Sequence, residues 1–167
     1  MSGDDYINRG MPHPVVLYAE DDENDVFFME RAFAKMSAHG SLRVVSDGQL
    51  VTEYLLGTGR FSDREEFPAP DLLLLDVKMP QMSGLEALEW VRKRGEFKGL
   101  VIVMLTSSTQ ESDVKFCLEK GANAYLVKPS RADQLAELIT QVLAAATKAE
   151  GTQRLDLAGN LLNSRRA

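Results

Sequence analysis

Two uninterrupted apolar runs constrain the fold of this chain more than any other feature of its sequence. They are "LLLL" at residues 72–75 and "LVIVML" at residues 100–105. A strand with one face in water alternates apolar and polar residues, whereas a strand without any polar position is buried on both faces. The two runs therefore predict strands of a parallel sheet that helices cover on both sides.

Segments with strand character alternate with segments of helical periodicity along the chain. Short apolar runs at residues 15–19, 41–45 and 124–127 bring the number of strand candidates to five. Apolar residues at helical spacing follow each of them, and the start and stop signals are Asp47, Ser83 and Gly121. The predicted helices cover about 24–37, 47–56, a segment from Ser83 through Val91, a segment that ends at Gly121, and 135–143.

This alternation predicts an α/β, doubly wound fold with a five-stranded parallel sheet. The pattern begins at residue 15 and fades after about residue 148. We therefore expect a flexible N-terminal arm at 1–14, one domain at 15–148 and a C-terminal tail at 149–167.

Composition and charge exclude several classes of protein. The formal net charge is −6, and the chain lacks a basic stretch, so we expect no nucleic-acid binding. A single cysteine, Cys117, allows no intrachain disulfide and fits a reducing compartment. The apolar runs are too short to cross a membrane, and the N-terminus lacks the features of a signal peptide. We expect a cytoplasmic protein without a membrane contact.

Polar side chains follow four of the five predicted strands at the point where each strand ends. In open α/β sheets the functional crevice lies beyond these carboxyl ends, so the side chains are expected to meet. Clustered carboxylates repel by roughly 4 kcal/mol per pair about 4 Å apart, which a divalent cation such as Mg²⁺ offsets. A carboxylate in such a site can accept a phosphoryl group, while a lysine neutralises its oxygens. The residues concerned are Glu20, Asp21 and Asp22, then Asp76, then Thr106, Ser107 and Ser108, and finally Lys128 with Pro129.

Four motifs in this order resemble the landmarks of response-regulator receiver domains. They are "VLYAEDDEND", "LLLLDVKMPQMSGLEAL", "VIVMLTSS" and "AYLVKP", and the resemblance extends over about residues 15–146. It implies the CheY-like, flavodoxin-like (βα)5 fold and phosphorylation of Asp76 by a histidine kinase or a phosphotransfer protein. The protein would be a phosphoacceptor that signals, and not a conventional enzyme.

The resemblance also implies a role for individual residues. Glu20 and Asp21 match the acidic pair that holds Mg²⁺ together with Asp76, although the register also permits Asp21 and Asp22. The remaining matches are the backbone carbonyl of Lys78 as a metal ligand, Thr106 as the switch hydroxyl, Tyr125 as the switch aromatic and Lys128 as the phosphate-contacting lysine.

Two residues flank the position of the attacking water in receiver domains. Here they are Lys78 and Ser108, and neither is an acid or amide that would orient the water. The resemblance therefore predicts a long-lived phosphoryl state.

The long segment at residues 57–70 is similar to that of stand-alone receivers that pair with bacterial phytochrome-type kinases. The tail after the last helix is too short for a helix-turn-helix domain, so the expected output is a protein–protein contact. The expected surface is formed by the fourth helix, the fifth strand and the fifth helix, over about residues 111–143. It would serve self-association or the docking of a partner.

Three alternative functions make different demands on the sequence. A phosphatase of the haloacid dehalogenase type would need a second aspartate two residues after Asp76, where the chain has Lys78. A dinucleotide-binding protein would need a glycine-rich turn after the first strand, which the chain lacks. A pseudo-receiver that binds partners without phosphorylation stays open. Asp25 is explained by the dipole of the first helix, which favours negative charge at its N-terminus.

Overall fold

The computed structural model describes residues 13–36, 40–149 and 151–157. Within them, five strands form a single sheet of order β2-β1-β3-β4-β5, and every neighbouring pair is parallel. The doubly wound five-stranded fold predicted from the sequence is confirmed. The strands are β1 (Val15–Ala19), β2 (Ser41–Val45), β3 (Leu72–Leu75), β4 (Val101–Thr106) and β5 (Ala124–Val127).

Five α-helices alternate with the strands. Two of the predicted helix starts are formed as expected: Asp47 accepts from the backbone N–H of Leu50 at 2.8 Å, and Ser83 forms a capping box with Glu86. None of the helices in the described part of the chain is long and apolar enough to span a bilayer. The helices are α1 (Glu23–Lys35), α2 (Gly48–Leu56), α3 (Gly84–Arg92), α4 (Glu111–Glu119) and α5 (Ala132–Ala146).

The sheet separates two apolar layers. Leu72 and Leu74 face α1 and α5, whereas Leu73 and Leu75 face the layer that contains α2, α3 and α4. All four leucine side chains are fully buried. Because successive strand residues point to opposite faces, a run without a polar residue is the requirement for a central strand in this arrangement.

The segment between α2 and β3 is held by its own side chains. Tyr54, Phe61 and Phe67 pack with ring centroids 5.0 to 6.1 Å apart. The guanidinium of Arg64 donates to the backbone carbonyls of Tyr54 and Leu55 at 2.8 Å, and so satisfies the C-terminal end of α2. These contacts close the long loop into a compact structure.

Part of the predicted tail packs on the domain. Leu155 and Leu157 are buried in the apolar layer of α5, and the Leu155 N–H donates to the backbone carbonyl of Asn123 at 2.9 Å. The rest of the predicted tail, residues 158–167, lies outside the described residues, as do residues 1–12 of the predicted arm.

Candidate phosphoacceptor site

Backbone hydrogen bonds that continue beyond the strands position the polar residues at the carboxyl edge of the sheet. The N–H of Glu20 donates to the Val45 carbonyl at 3.0 Å, and the N–H of Asp76 donates to the Ala19 carbonyl at 3.1 Å. These bonds hold the first polar residue after β1 beside the first one after β3. The sheet therefore brings residues that are distant in sequence next to each other.

Three carboxylates meet at this edge. Glu20, Asp21 and Asp76 each offer one oxygen within 4.8 Å of the others. Glu20 and Asp76 are only 2% and 8% exposed, whereas Asp21 is exposed. The carboxylate of Asp22 instead caps α1 by accepting from the N–H groups of Asn24 and Asp25. This arrangement favours Glu20 and Asp21 as the acidic pair over the alternative register.

The ammonium group of Lys128 lies among carboxylates. Its Nζ donates to the Glu20 carboxylate, to Asp25 Oδ2 at 2.9 Å and to Asp76 Oδ2 at 3.1 Å. The side chain is 11% exposed, and although burial lowers the pKa of Lys128, these acidic neighbours outweigh it and raise the pKa. The contact with Asp25 was not predicted, because a first-turn acid on a helix is explained by the helix dipole alone.

The pKa values of the two buried carboxyl groups are shifted in opposite directions. Burial, assisted by the hydrogen bond with Asp76, raises the pKa of Glu20 to about 7. Burial also acts upward on Asp76, but the hydrogen bonds with Glu20 and Thr106 and the charge of Lys128 together lower its pKa. The Tyr18 hydroxyl donates to Glu20 Oε2 at 3.2 Å. Of the two buried carboxyl groups, Glu20 therefore holds a proton more readily than Asp76 does.

The donor set fits a hard dication. Carboxylate oxygens are the ligands that Mg²⁺ and Mn²⁺ prefer, and three of them converge here with a single lysine to offset their charge. Burial is the main cause of the raised pKa of Glu20, because it disfavours the charged form of the carboxyl group. The site can therefore gain from a second cation.

The predicted switch residues form a second group, next to the first. Thr106 is buried, hydrogen-bonded to Asp76, and its Oγ1 accepts from the Ser108 N–H at 3.3 Å. The side chain of Tyr125 is fully buried, and its hydroxyl donates to the Ser108 carbonyl at 2.9 Å. Ser108 donates its own hydroxyl to Asp113 Oδ2 at 2.9 Å. The loop after β4 thus connects the Asp76 contact to Tyr125 and to α4.

Lys78 lies apart from the buried cluster. Its side chain is exposed and lines an open groove together with Asp21, Val77 and Gln110.

Gly84 is a positioning residue that sequence reasoning missed. A Cβ atom at this position would lie 1.8 Å from the backbone oxygen of Asp76, so only glycine permits the contact. The Gly84 N–H also donates to the Val77 carbonyl at 2.9 Å, which fixes the turn after β3. A glycine directly after the capping residue Ser83, at the first position of a helix, was the available signal.

Comparison with known proteins identifies one family for most of the chain. The model of the response regulator receiver domain matches residues 16–140. Response regulator Rcp1 of Synechocystis sp. is 28% identical over 128 residues, which are 77% of this chain and 85% of Rcp1.

Solved structures give the same result. The response regulator RPA3017 in red light signaling of R. palustris is 35% identical, has a TM-score of 0.72, and the match covers 77% of this chain and 90% of that one. The bacteriophytochrome response regulator RtBRR is 38% identical with a TM-score of 0.66 and a coverage of 76% of both chains. The Mn²⁺-bound form of Rcp1 superimposes with a TM-score of 0.68 at 27% identity and covers 77% of this chain and 91% of that one.

Proposed function

Because the chain belongs to the response regulator receiver domain family, whose members act in two-component signalling, we propose that Asp76 is its phosphoacceptor. The observation that carries this proposal is the buried Asp76 carboxylate, in contact with Lys128 and Thr106 and beside Glu20 and Asp21. In the transfer, the N–P bond of a phosphohistidine breaks and an O–P bond to an Asp76 oxygen forms. The donor imidazole keeps the electron pair of the broken bond.

Mg²⁺ is the proposed cofactor. Glu20, Asp21 and Asp76, with the backbone carbonyl of Lys78, would hold it, and the cluster of three carboxylates supports this assignment. When bound, Mg²⁺ offsets the negative charge on the oxygens of the transferring group. The Mn²⁺-bound form of Rcp1 is a metal complex of a similar chain.

Lys128 and Thr106 are the proposed contacts of the phosphoryl group. Lys128 already donates to Asp76 Oδ2, so a small movement of the ammonium would reach an oxygen bonded to phosphorus. If Thr106 turns toward the phosphoryl group, the Ser108 N–H loses its acceptor, and the Ser108 carbonyl is the partner of Tyr125. This chain of contacts supports Thr106 and Tyr125 as the switch between two surface states.

The phosphoryl group is proposed to be long-lived. Lys78 is exposed and cationic, and the Ser108 hydroxyl donates to Asp113, so neither residue supplies an acid or amide to orient a water molecule. Beyond self-phosphorylation from a phosphodonor and slow self-dephosphorylation, no enzymatic activity is proposed.

The proposed partner is a histidine kinase of the phytochrome type, or a phosphotransfer protein. The similarity to RPA3017, RtBRR and Rcp1 supports the sensor class. A protein donor must cover the rim of the Asp76 pocket, where the side chain of Phe28 is 41% exposed. Phe28 lines a small depression with Lys128 and Pro129. For the output, we propose homodimerisation through α4, β5 and α5, with the docking of an effector on the same face as the second candidate.

The test is phosphorylation by acetyl phosphate, measured by intact mass with and without Mg²⁺. We expect wild type to gain one phosphoryl group only with Mg²⁺, and Asp76→Asn to gain none. Asp71→Asn is the matched control, since Asp71 precedes the same strand at its other end and is exposed. Equal labelling of Asp76→Asn would overturn the assignment of the phosphoacceptor.

A second donor and a sizing column complete the test. If neither acetyl phosphate nor a phosphorylated histidine donor labels the protein, it is a pseudo-receiver. A shift to twice the mass on phosphorylation supports the homodimer, and an unchanged elution volume supports the docking of an effector.

A further inference from the structure

Asp25 is the one carboxylate on Lys128 that the proposed phosphoacceptor chemistry does not use. An ammonium group has three N–H donors, and the three contacts of Lys128 are Glu20, Asp25 and Asp76. Glu20 and Asp76 belong to the carboxylate cluster that could hold a metal ion, and Asp25 does not. The lysine therefore shares two of its three partners with the proposed metal site.

This overlap creates a competition. A dication held by Glu20 and Asp76 withdraws electron density from the oxygens that Lys128 also needs. An ammonium that is 11% exposed would then lose most of its compensation, and burying a charge without a partner is costly. Asp25, at 2.9 Å and with a side chain 37% exposed, keeps its contact available in both conditions.

We propose that Asp25 is a positioning residue that retains the Lys128 ammonium at the pocket when a metal ion engages Glu20 and Asp76. This inference rests on the proposed function and adds a residue to it. Asp25 lies in the first turn of α1, so the ion pair also connects α1 to the loop that joins β5 to α5. Asp25 would thus hold the lysine from α1 while the ammonium group remains directed at Asp76.

A matched control exists in the same helical turn. Glu23 is the other acidic residue in the first turn of α1, and it is exposed. Glu23→Gln removes the same charge from the same helix terminus as Asp25→Asn, and therefore carries the same helix-dipole effect. Only Asp25→Asn removes a carboxylate from Lys128.

The first measurement is the Mg²⁺ dissociation constant, from amide chemical shifts in a titration without any phosphodonor. Without Asp25 the lysine competes harder for Glu20 and Asp76, so we expect Asp25→Asn to weaken Mg²⁺ binding roughly fivefold, the size expected for a partly solvated charged hydrogen bond. Glu23→Gln should weaken it by less than about twofold, through screened charge alone. Equal effects of the two substitutions would overturn the proposal.

Lys128→Met provides the second test, as a double-mutant cycle. In this background Asp25→Asn should have no larger effect on Mg²⁺ affinity than Glu23→Gln, because the lysine that Asp25 retains is gone. A fivefold effect that persists in Lys128→Met would show that Asp25 acts on the helix or directly on the metal, and would contradict the proposal.

The rate of phosphoryl uptake distinguishes the loss of lysine positioning from a simple charge effect, because the two change the rate in opposite directions. Removal of a negative charge near the pocket should accelerate the reaction with the anionic acetyl phosphate, whereas loss of the lysine anchor should slow it. We expect Asp25→Asn at saturating Mg²⁺ to slow uptake roughly fivefold and Glu23→Gln to leave it unchanged or faster. An acceleration by Asp25→Asn would contradict the proposal. A wild type that neither binds Mg²⁺ nor takes up a phosphoryl group, from acetyl phosphate or from a phosphorylated histidine donor, would instead refute the proposed function itself.

Discussion

The two ends of the sheet both bury polar side chains. Only at one end does every hydrogen-bonding position of the central buried side chain have a partner within the protein. At the carboxyl end, Glu20, Asp25 and Asp76 share the single cation of Lys128. At the amino end, Asn123 is fully buried, and each of its hydrogen-bonding positions has a partner. The difference distinguishes a polar cluster that stabilises the fold from one that is ready to receive a ligand.

The amino end is a closed network. The Asn123 amide oxygen accepts from Arg92 Nη2 at 3.0 Å and from the Ile102 N–H at 2.8 Å, and its Nδ2 donates to the carbonyls of Gly151 and Gln153. Arg92 further donates to the carbonyls of Gly121 and Leu100. Burial lowers the pKa of Arg92 to about 10, so the guanidinium stays charged at neutral pH. This network joins the C-terminal segment to α3, β4 and β5.

The carboxyl end is open in the sense that its charge is not balanced. Glu20 has its pKa raised to about 7 chiefly because it is buried, with the hydrogen bond to Asp76 adding to the effect. Three carboxylates therefore share one ammonium group in a place where burial already disfavours the charged form of Glu20. Excess negative charge beside a buried lysine is therefore the more informative signal for function than polar burial alone.

The largest expected effect tests how tightly the backbone is packed at the carboxyl end, beneath Asp76. Gly84→Ala places a Cβ atom 1.8 Å from the Asp76 backbone oxygen, so the start of α3 or the end of β3 must move. We expect a loss of about 4 kcal/mol in the free energy of unfolding, measured by chemical denaturation. Gly99→Ala is the control, since a Cβ there meets nothing within 4 Å. A loss similar to that of the control would mean that the backbone under Asp76 yields easily.

Asn123→Ala tests the closed end. The substitution leaves the buried N–H of Ile102 and the Arg92 guanidinium short of an acceptor and releases the two carbonyls of the C-terminal segment. We expect a loss of about 3 kcal/mol in the free energy of unfolding. Asn24→Ala, at an exposed position, should change it by less than about 0.5 kcal/mol. If Asn123→Ala also abolished labelling of Asp76 in folded protein, the two ends would not be independent.

Glu20→Gln tests the charge imbalance through pH. The pKa of Glu20 is raised from 4.5 to about 7 in the folded protein, so the folded state binds a proton more strongly than the unfolded chain does. Its contribution to stability is thus present below pH 4.5 and is lost as pH rises through about 7. Without metal, we expect wild type to lose about 3 kcal/mol relative to Glu20→Gln between pH 4.5 and 8, from thermal or chemical unfolding. A constant difference over this range would show that the carboxyl end is balanced after all.

The sequence predicted the sheet and the convergence at its carboxyl edge because both depend on local signals. The run of leucines before Asp76 determined a buried strand, and parallel strands bring Glu20, Asp76 and Lys128 to one edge. The contacts that were missed depend on how helices pack. Whether Asp25 reaches Lys128 depends on how α1 packs against α5. The apolar periodicity of the two helices does not predict this placement.

The closed network was missed for a related reason. Asn123 lies in the turn before β5, and asparagine is common in turns, so the residue itself gives no signal of a network. Its partners Arg92 and Gly151 are distant in sequence. Gly121 was predicted only as the end of a helix, although its carbonyl is also an acceptor for Arg92. Hydrogen bonds that join three separate elements follow from the tertiary structure and leave no pattern in the sequence.

The smallest expected effect comes from the same substitution made at the two ends. Tyr125 and Tyr54 are both buried, and each hydroxyl donates to a backbone carbonyl at 2.9 Å, that of Ser108 at the carboxyl end and that of Pro68 at the amino end. Tyr125→Phe and Tyr54→Phe should each cost about 1 kcal/mol in the metal-free protein. If Tyr125 is a switch residue, its hydrogen bond changes when Asp76 carries a phosphoryl group, whereas that of Tyr54 does not. With Mg²⁺ and beryllium fluoride as a phosphoryl mimic, the cost of Tyr125→Phe should therefore change while that of Tyr54→Phe stays constant. If the cost of Tyr125→Phe stayed constant as well, the Tyr125 hydroxyl would be a structural group like that of Tyr54, and the switch would have to be sought elsewhere on the α4, β5 and α5 face.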